Sequence, residues 1–384
     1  MGIFDKFKLN KEQKEKIDSI KSLVSKKRLN LIKNLLVQKK IEIKKHKLES
    51  SLFDNLEFVQ IKSLVEEVDA VEVNNEIKQK AFADKFNDFK EKAFDEIPNH
   101  IAPNITGMNA IKKAAAIQLF AAQPIHLLLL GDPGTGKTDI LRSSANLSPI
   151  SSFGLGSGTS GAGLVVTVKG NEVIKGLLPM ADNGICAIDE LNLMKKEDFA
   201  GMYNAMEKGF VTYDKGGKHY RFNAKIKIIS TANPKGDRFE GKTIEDIKKE
   251  IPFDSALLTR FHLVFFIKKP GLEKFKKIAE SILSGDKIKA KKGDIEFIKG
   301  YVRAIDTKIK EVEFSKERQR EVIMFVEELK KKEEEHLIEI SPRFVIGIMR
   351  LCKSLARMEA RDFVKIKDIV RVKEIVLESL KIDN

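Results

Sequence analysis

Residues Gly131, Asp132, Pro133, Gly134, Thr135, Gly136, Lys137 and Thr138 spell G-x-x-x-x-G-K-T. Glycines at this spacing let successive backbone N–H groups turn inward around a phosphate. Lys137 supplies positive charge to the β- and γ-phosphates, and the Thr138 hydroxyl is an oxygen ligand for magnesium. An unbroken apolar run, Ile125–Leu130, precedes the loop and a helical stretch follows it, so a helix N-terminus also faces the anion. A glycine-rich turn with no ligand is the competing reading, and this strand-then-helix context argues against it. The chemistry indicated is the binding of ATP with Mg2+.

A second constellation begins 52 residues after Lys137, where the apolar run Gly184–Ile188 ends in Asp189 and Glu190. Asp189, at the strand tip, is placed to hold magnesium, and Glu190 to polarise an attacking water. Alone, an acidic pair after a strand reads as a solvated loop; in a chain with a phosphate-binding loop it reads as hydrolytic. Ile226–Ser230 leads into Thr231-Ala232-Asn233-Pro234, and Asn233 is suited to orient that water. Without its surroundings it would be an Asn-Pro turn. Arg260, in Leu257-Leu258-Thr259-Arg260-Phe261, stands where an arginine can be supplied to a neighbouring subunit's γ-phosphate. Arg343, at the start of a helix, is a second arginine within reach of a nucleotide.

Composition restricts the partners. The chain has 384 residues and a formal net charge of +14, with 42% hydrophobic and 33% charged residues, which is globular rather than disordered usage. Residues 1–50 hold 15 lysines and arginines against 6 acidic residues. Such a segment attracts phosphate backbones by counterion release, although a solvated helix surface has the same composition. Cys186 and Cys352 lack metal-ligand spacing and make no disulfide framework. The start MGIFDKFKLN has no apolar signal region and no stretch reaches membrane-spanning length, so a cytoplasmic protein is expected.

The elements that must position these residues follow from periodicity. Ile125–Leu130, Gly184–Ile188, Ile226–Ser230 and Leu263–Ile267 are short apolar runs suited to strands buried on both faces. Helical patterns separate them, among them Ile111–Ala122 and Lys195–Lys208. This alternation predicts an α/β fold with a central parallel sheet flanked by helices. After about Gly271 helices remain: Glu317–Glu334, Pro342–Arg361 and Ile366–Leu380. Ser341 and Pro342 mark a helix start. The stripe Phe344, Ile348, Leu351, Leu355, Met358 is the core of a small helical lid. Turn residues around Pro98 and Pro103 suggest three parts: a basic, mainly helical region 1–97, a nucleotide-binding α/β domain 98–270, and a helical lid 271–384.

Taken in order, these motifs resemble the AAA+ motor domain of the minichromosome maintenance (MCM) family, from about Ile101 to Leu380. The entry IAPNITGMNAIKKAAAIQLF, with Ile105, looks like the MCM segment that opens the nucleotide pocket. The blocks ADNGICAIDELNLMKKEDFAGMYNAMEKGFVTYDKGG, ISTANPKGDRF, FDSALLTRFHLVFFIKK and ISPRFVIGIMRLCKSLARM carry the rest. The resemblance implies an AAA+ P-loop ATPase that moves along DNA as a ring-shaped homo-oligomer, a hexamer, with helicase activity. It makes Asn233 the first sensor, Arg260 the finger acting in trans and Arg343 the second sensor. It makes Gly209–Asn223 a channel hairpin with Lys215 at its tip contacting DNA, and Leu164–Leu177 an insertion in the second helix. Tyr213 and Tyr220 flank the tip.

The chain also departs from the pattern. Gly136 stands where MCM proteins usually have alanine, and His262 where they usually have aspartate. Fewer than about 100 residues precede the motor, whereas the family usually carries a large DNA-binding part there, so a separate loading or accessory protein is expected. The alternative is a protein-remodelling ATPase resembling the MoxR or magnesium-chelatase groups, which share the hairpin and the insertion.

Overall fold

The computed structural model describes residues 79–169, 172–215, 218–236, 238–283 and 291–381. The reading of residues 1–78 as basic and helical lies outside them. Two compact units are distinguished, Met1–Asn87 and Asp88–Asn384. In the first, the described residues 79–87 are helical.

The second unit holds nine strands among its described residues. They are β1 (Leu127–Gly131), β2 (Ser151–Leu155), β3 (Val166–Lys169), β4 (Glu172–Lys175), β5 (Ile185–Asp189), β6 (Phe210–Lys215), β7 (Lys218–Asn223), β8 (Lys227–Ala232) and β9 (Leu263–Ile267). Five form one parallel sheet in the order β2-β5-β8-β1-β9. Every residue of β1, β5, β8 and β9 is buried, because helices cover both faces; β1 and β9 therefore read as continuous apolar runs and β5 does up to Asp189, while β8 also buries Lys227, Ser230 and Thr231. The order turns about β1: the chain leaves it towards β2 and later returns to its other side as β9. Ligands of open α/β sheets bind at such a switch point, beyond the carboxyl ends of the strands, which is where residues 131–138 lie.

The sequence pattern did not reveal β2. As an edge strand it alternates exposed and buried positions, and Ser151, Ser152 and Gly154 have little strand propensity. The expected helix Lys195–Lys208 is a 3-10 turn, Lys196–Asp198, followed by the helix Phe199–Lys208. Gly209 ends that helix in the left-handed region at φ 69°, and the chain turns into β6.

Two antiparallel hairpins stand apart from the central sheet. β3 and β4 lie between the helical turns Gly161–Leu164 and Leu177–Met180, within the expected insertion. In the other, β6 and β7, Lys215 and Lys218 are register partners. Tyr213 packs against the core rather than standing free.

Beyond β9 the chain is helical: Leu272–Leu283, Lys292–Lys308, Lys316–Lys331, Pro342–Met358 and Ile366–Leu380. The first two were not foreseen. The stripe Phe344, Ile348, Leu351, Leu355, Met358 is buried as expected. Within the lid Arg357 pairs with Asp306 at 2.7 Å and donates to the carbonyl of Ile309 (3.0 Å), and it ties the lid to the end of the helix Asn109–Leu119 by donating to the Phe120 carbonyl. Both cysteines are buried and free, and burial pushes the Cys186 thiol up to about 11, so they serve packing. No described helix is long and apolar enough to cross a membrane.

Candidate active site

The loop after β1 is shaped by backbone conformations that suit glycine. Gly134 and Gly136 have φ 76° and 85°, and nothing lies within 4 Å of a Cβ on Gly134, so that face of the loop is open. A nucleotide phosphate fits an open, N–H-lined cradle at the start of the helix Lys137–Leu147.

Lys137 is 6% exposed, and its ammonium donates to the carbonyls of Gly131 (2.7 Å) and Asp132 (2.6 Å). Burial lowers its pKa to about 8, against the opposing charges of Asp132, Asp189 and Glu190. A buried ammonium bonded to two backbone carbonyls at the mouth of an N–H-lined loop has the chemistry of a phosphate-binding group.

Across the β1–β8–β5 centre of the sheet the magnesium candidates meet. Thr138 Oγ1 donates to Asp189 Oδ1 at 3.1 Å, and Thr231 Oγ1 donates to the same oxygen. A hydroxyl beside a carboxylate is a hard oxygen set that fits Mg2+. Thr231 also accepts from the Glu190 N–H at 2.9 Å. Glu190 itself is left-handed, at φ 53°, a backbone strain of order 1–3 kcal/mol that is characteristic of functional positions. Asn233 is fixed through its own N–H, which donates to Asn192 Oδ1 at 3.0 Å. Lys137, Thr138, Asp189, Glu190 and Asn233 thus come from three neighbouring strand ends.

Asp132 and Ile105 have other surroundings. The Asp132 carboxylate accepts from the backbone N–H groups of Phe239 (3.0 Å) and Lys269 (2.9 Å). The Ile105 side chain fills the space beside Gly136, and its carbonyl accepts from the buried Lys112 ammonium at 2.6 Å. Thr135 donates to the Asp132 carbonyl at 2.9 Å. Pro133 lies within the loop turn.

Arg260 and Arg343 form a separate group on Glu207, near the end of the helix Phe199–Lys208. Glu207 Oε1 pairs with Arg260 at 2.9 Å and with Arg343 at 2.5 Å. The Arg343 contact, then the Arg260 charge, hold the Glu207 carboxyl below its usual range, against partial desolvation. Arg260 also lies over the Tyr203 ring at 4.3 Å. His262, buried at the lid joint, accepts from the His126 N–H at 3.0 Å beside Arg350; burial and then Arg350 lower its pKa to about 3. A neutral ring therefore occupies the position at which the resemblance expects a charge. The side chain of Lys215 lies outside the described residues.

Sequence reasoning missed Thr231, Asn192 and Glu207. Thr231 carried a signal, since it lies two residues before Asn233, the same-face spacing of a strand. Glu207 carried none, because its partners are distant in the chain.

The MCM P-loop domain model matches residues 83–285. The Minichromosome maintenance protein MCM of Saccharolobus solfataricus is 31% identical over 314 residues, 75% of this chain and 45% of that protein. DNA replication licensing factor mcm5 of Dictyostelium discoideum is 34% identical over 196 residues, 46% of this chain and 25% of that protein. Probable DNA helicase MCM9 of Oryza sativa subsp. indica is 27% identical over 296 residues, 70% of this chain and 43% of that protein. The matched segments span between a quarter and just under half of these relatives' length.

Proposed function

Because the chain belongs to the minichromosome maintenance family, we infer that its nucleotide site hydrolyses ATP and that the energy moves the protein along DNA. The observation that carries this reading is the convergence of Lys137, Thr138, Asp189 and Glu190 at the ends of β1 and β5, bridged by Thr231. One relative is named a probable DNA helicase and another a replication licensing factor, which favours DNA over a protein client.

Thr138 and Asp189 would hold magnesium, which would supply charge neutralisation at the transferred phosphoryl group. Lys137 binds the phosphates through its ammonium, and the loop N–H groups orient them. The Glu190 carboxylate accepts a hydrogen bond from the attacking water and takes its proton as general base, and Asn233 fixes that water's direction. Arg260 and Arg343, oriented by Glu207, complete the site of a neighbouring copy in a ring, a hexamer. The hairpin β6–β7 grips DNA through Lys215, a contact that sets position without reading sequence. An accessory protein for loading completes the scheme.

The test is the ATPase rate with and without single- and double-stranded DNA, in the wild type and in Lys215→Ala. Stimulation by DNA in the wild type, reduced in the variant with a salt slope shallower by about one phosphate contact, is expected. Absence of stimulation by either form of DNA would refute the DNA reading and favour remodelling of a protein client.

A further inference from the structure

We propose that Asp132 is a positioning residue whose carboxylate ties the phosphate-binding loop to the segment after Asn233 and to the exit of β9, carrying nucleotide occupancy to both. The inference rests on the nucleotide-binding reading of residues 131–138. A carboxylate inside an anion-binding loop repels the ligand unless it is otherwise engaged. Asp132 is 5% exposed, and both of its oxygens are engaged by other segments: Oδ1 accepts from Phe239 N–H at 3.0 Å, and Oδ2 from Lys269 N–H at 2.9 Å. Hydrogen bonds to a charged acceptor are among the stronger ones.

The backbone of the same residue ties it to its own loop. Its N–H donates to Ile267 of β9 at 2.9 Å, and its carbonyl accepts from Thr135 Oγ1 at 2.9 Å and Lys137 Nζ at 2.6 Å. When a phosphate draws the Lys137 ammonium away, the Asp132 carbonyl loses that bond, and the peptide that carries the carboxylate is the one disturbed. The two receiving segments are well placed to respond. Phe239 is buried, packs edge-on to Phe266 of β9 at 6.1 Å, and lies a few residues after Asn233. Lys269 lies a few residues before Leu272–Leu283, the first lid helix. One side chain therefore spans the phosphate loop, the water-orienting segment and the lid entry.

Asp132→Asn keeps the shape but leaves one acceptor oxygen, so its NH2 group faces one of the two backbone N–H donors. Lys269→Pro removes the other end of one arm and leaves the carboxylate intact. Both are compared with the wild type by direct binding of a fluorescent ATP analogue, by turnover, and by hydrogen exchange with and without nucleotide. In the wild type, nucleotide increases protection at residues 134–140, 238–241 and 268–272. In Asp132→Asn the last two responses disappear and the first remains. Its affinity stays within about threefold while turnover falls roughly tenfold, the pattern of a lost transition-state alignment rather than lost binding. Lys269→Pro loses the response at 268–272 alone. Wild-type exchange responses in either variant overturn the proposal, as does an affinity that falls in step with turnover. If Asp132→Asn does not fold, Lys269→Pro decides by the same criteria. A wild type that binds nucleotide without turnover removes the hydrolysis reading, while the exchange pattern still decides the role of Asp132.

Discussion

A Cβ built on Gly136 would lie 2.8 Å from Cδ1 of Ile105, so the isoleucine occupies the space that an alanine at 136 would need. The two residues belong to different segments, the entry before the helix Asn109–Leu119 and the phosphate loop. The departure from alanine at 136 is thus matched by the bulk at 105.

Gly136→Ala is expected to destabilise the protein by about 1–3 kcal/mol, from the left-handed φ together with the contact to Ile105. Thermal or denaturant unfolding measures it. Adding Ile105→Ala relieves the contact but not the dihedral, so the double variant should regain only part of what Gly136→Ala lost. Full additivity of the two losses would show that the residues do not compete for the space.

Lys137→Ala and Glu190→Gln should separate binding from cleavage. The first removes the only ammonium of the loop and should abolish nucleotide binding. The second keeps the side chain's size, so ATP stays bound while turnover falls by about a hundredfold or more, the scale of a lost general base. Normal hydrolysis in Glu190→Gln would move the water-activating role to another residue.

Glu207→Ala is expected to imitate the loss of both arginines that it holds. Arg260 and Arg343 share one carboxylate oxygen, so their orientation depends on it. Fingers of this kind are worth about 10³–10⁵ in rate in related phosphoryl-transfer systems. Steady-state ATPase should therefore drop in Glu207→Ala, and the Glu207→Ala, Arg260→Ala double variant should be little worse than Arg260→Ala. Multiplied losses would mean that Glu207 acts on something else.

ATP affinity should decline above about pH 8. The free protein holds the Lys137 pKa near 8, lowered by burial, whereas phosphate favours the charged ammonium. Below pH 8 the lysine is already protonated and binding takes up no proton there. Above it each binding event takes up one, so affinity falls by up to about tenfold per pH unit. For folding the sign is opposite: the unfolded lysine, at its ordinary 10.5, binds more protons than the folded one between pH 8 and 10.5, so this group favours the folded state increasingly as pH rises through that window. Calorimetric binding in buffers of different ionisation enthalpy would detect the proton uptake, and its absence at pH 9 would reject the assignment.

The sequence by itself determined the elements that carry the chemistry. Strands buried on both faces are mostly apolar, so β1, β5 and β9 were legible as runs and β8 through its isoleucines despite Lys227, Ser230 and Thr231; β9 was read with its observed bounds and the other three were shifted by one or two residues. The phosphate loop, the acidic pair and the Ser341–Pro342 helix start are local patterns, complete within a few residues, and they needed no partner to be read. The tertiary structure decided what depends on residues far apart in the chain. β2 gains its place by pairing with β5 at the sheet edge, and half of its residues face outward, which erased the apolar signal. Asp132 looked like one more phosphate-loop residue, yet its carboxylate is engaged by Phe239 and Lys269. Glu207 looked like an ordinary helical glutamate until folding brought Arg260 and Arg343 onto it. A side chain's type limits which bonds it can make, and the packing of distant segments selects which of them it does make.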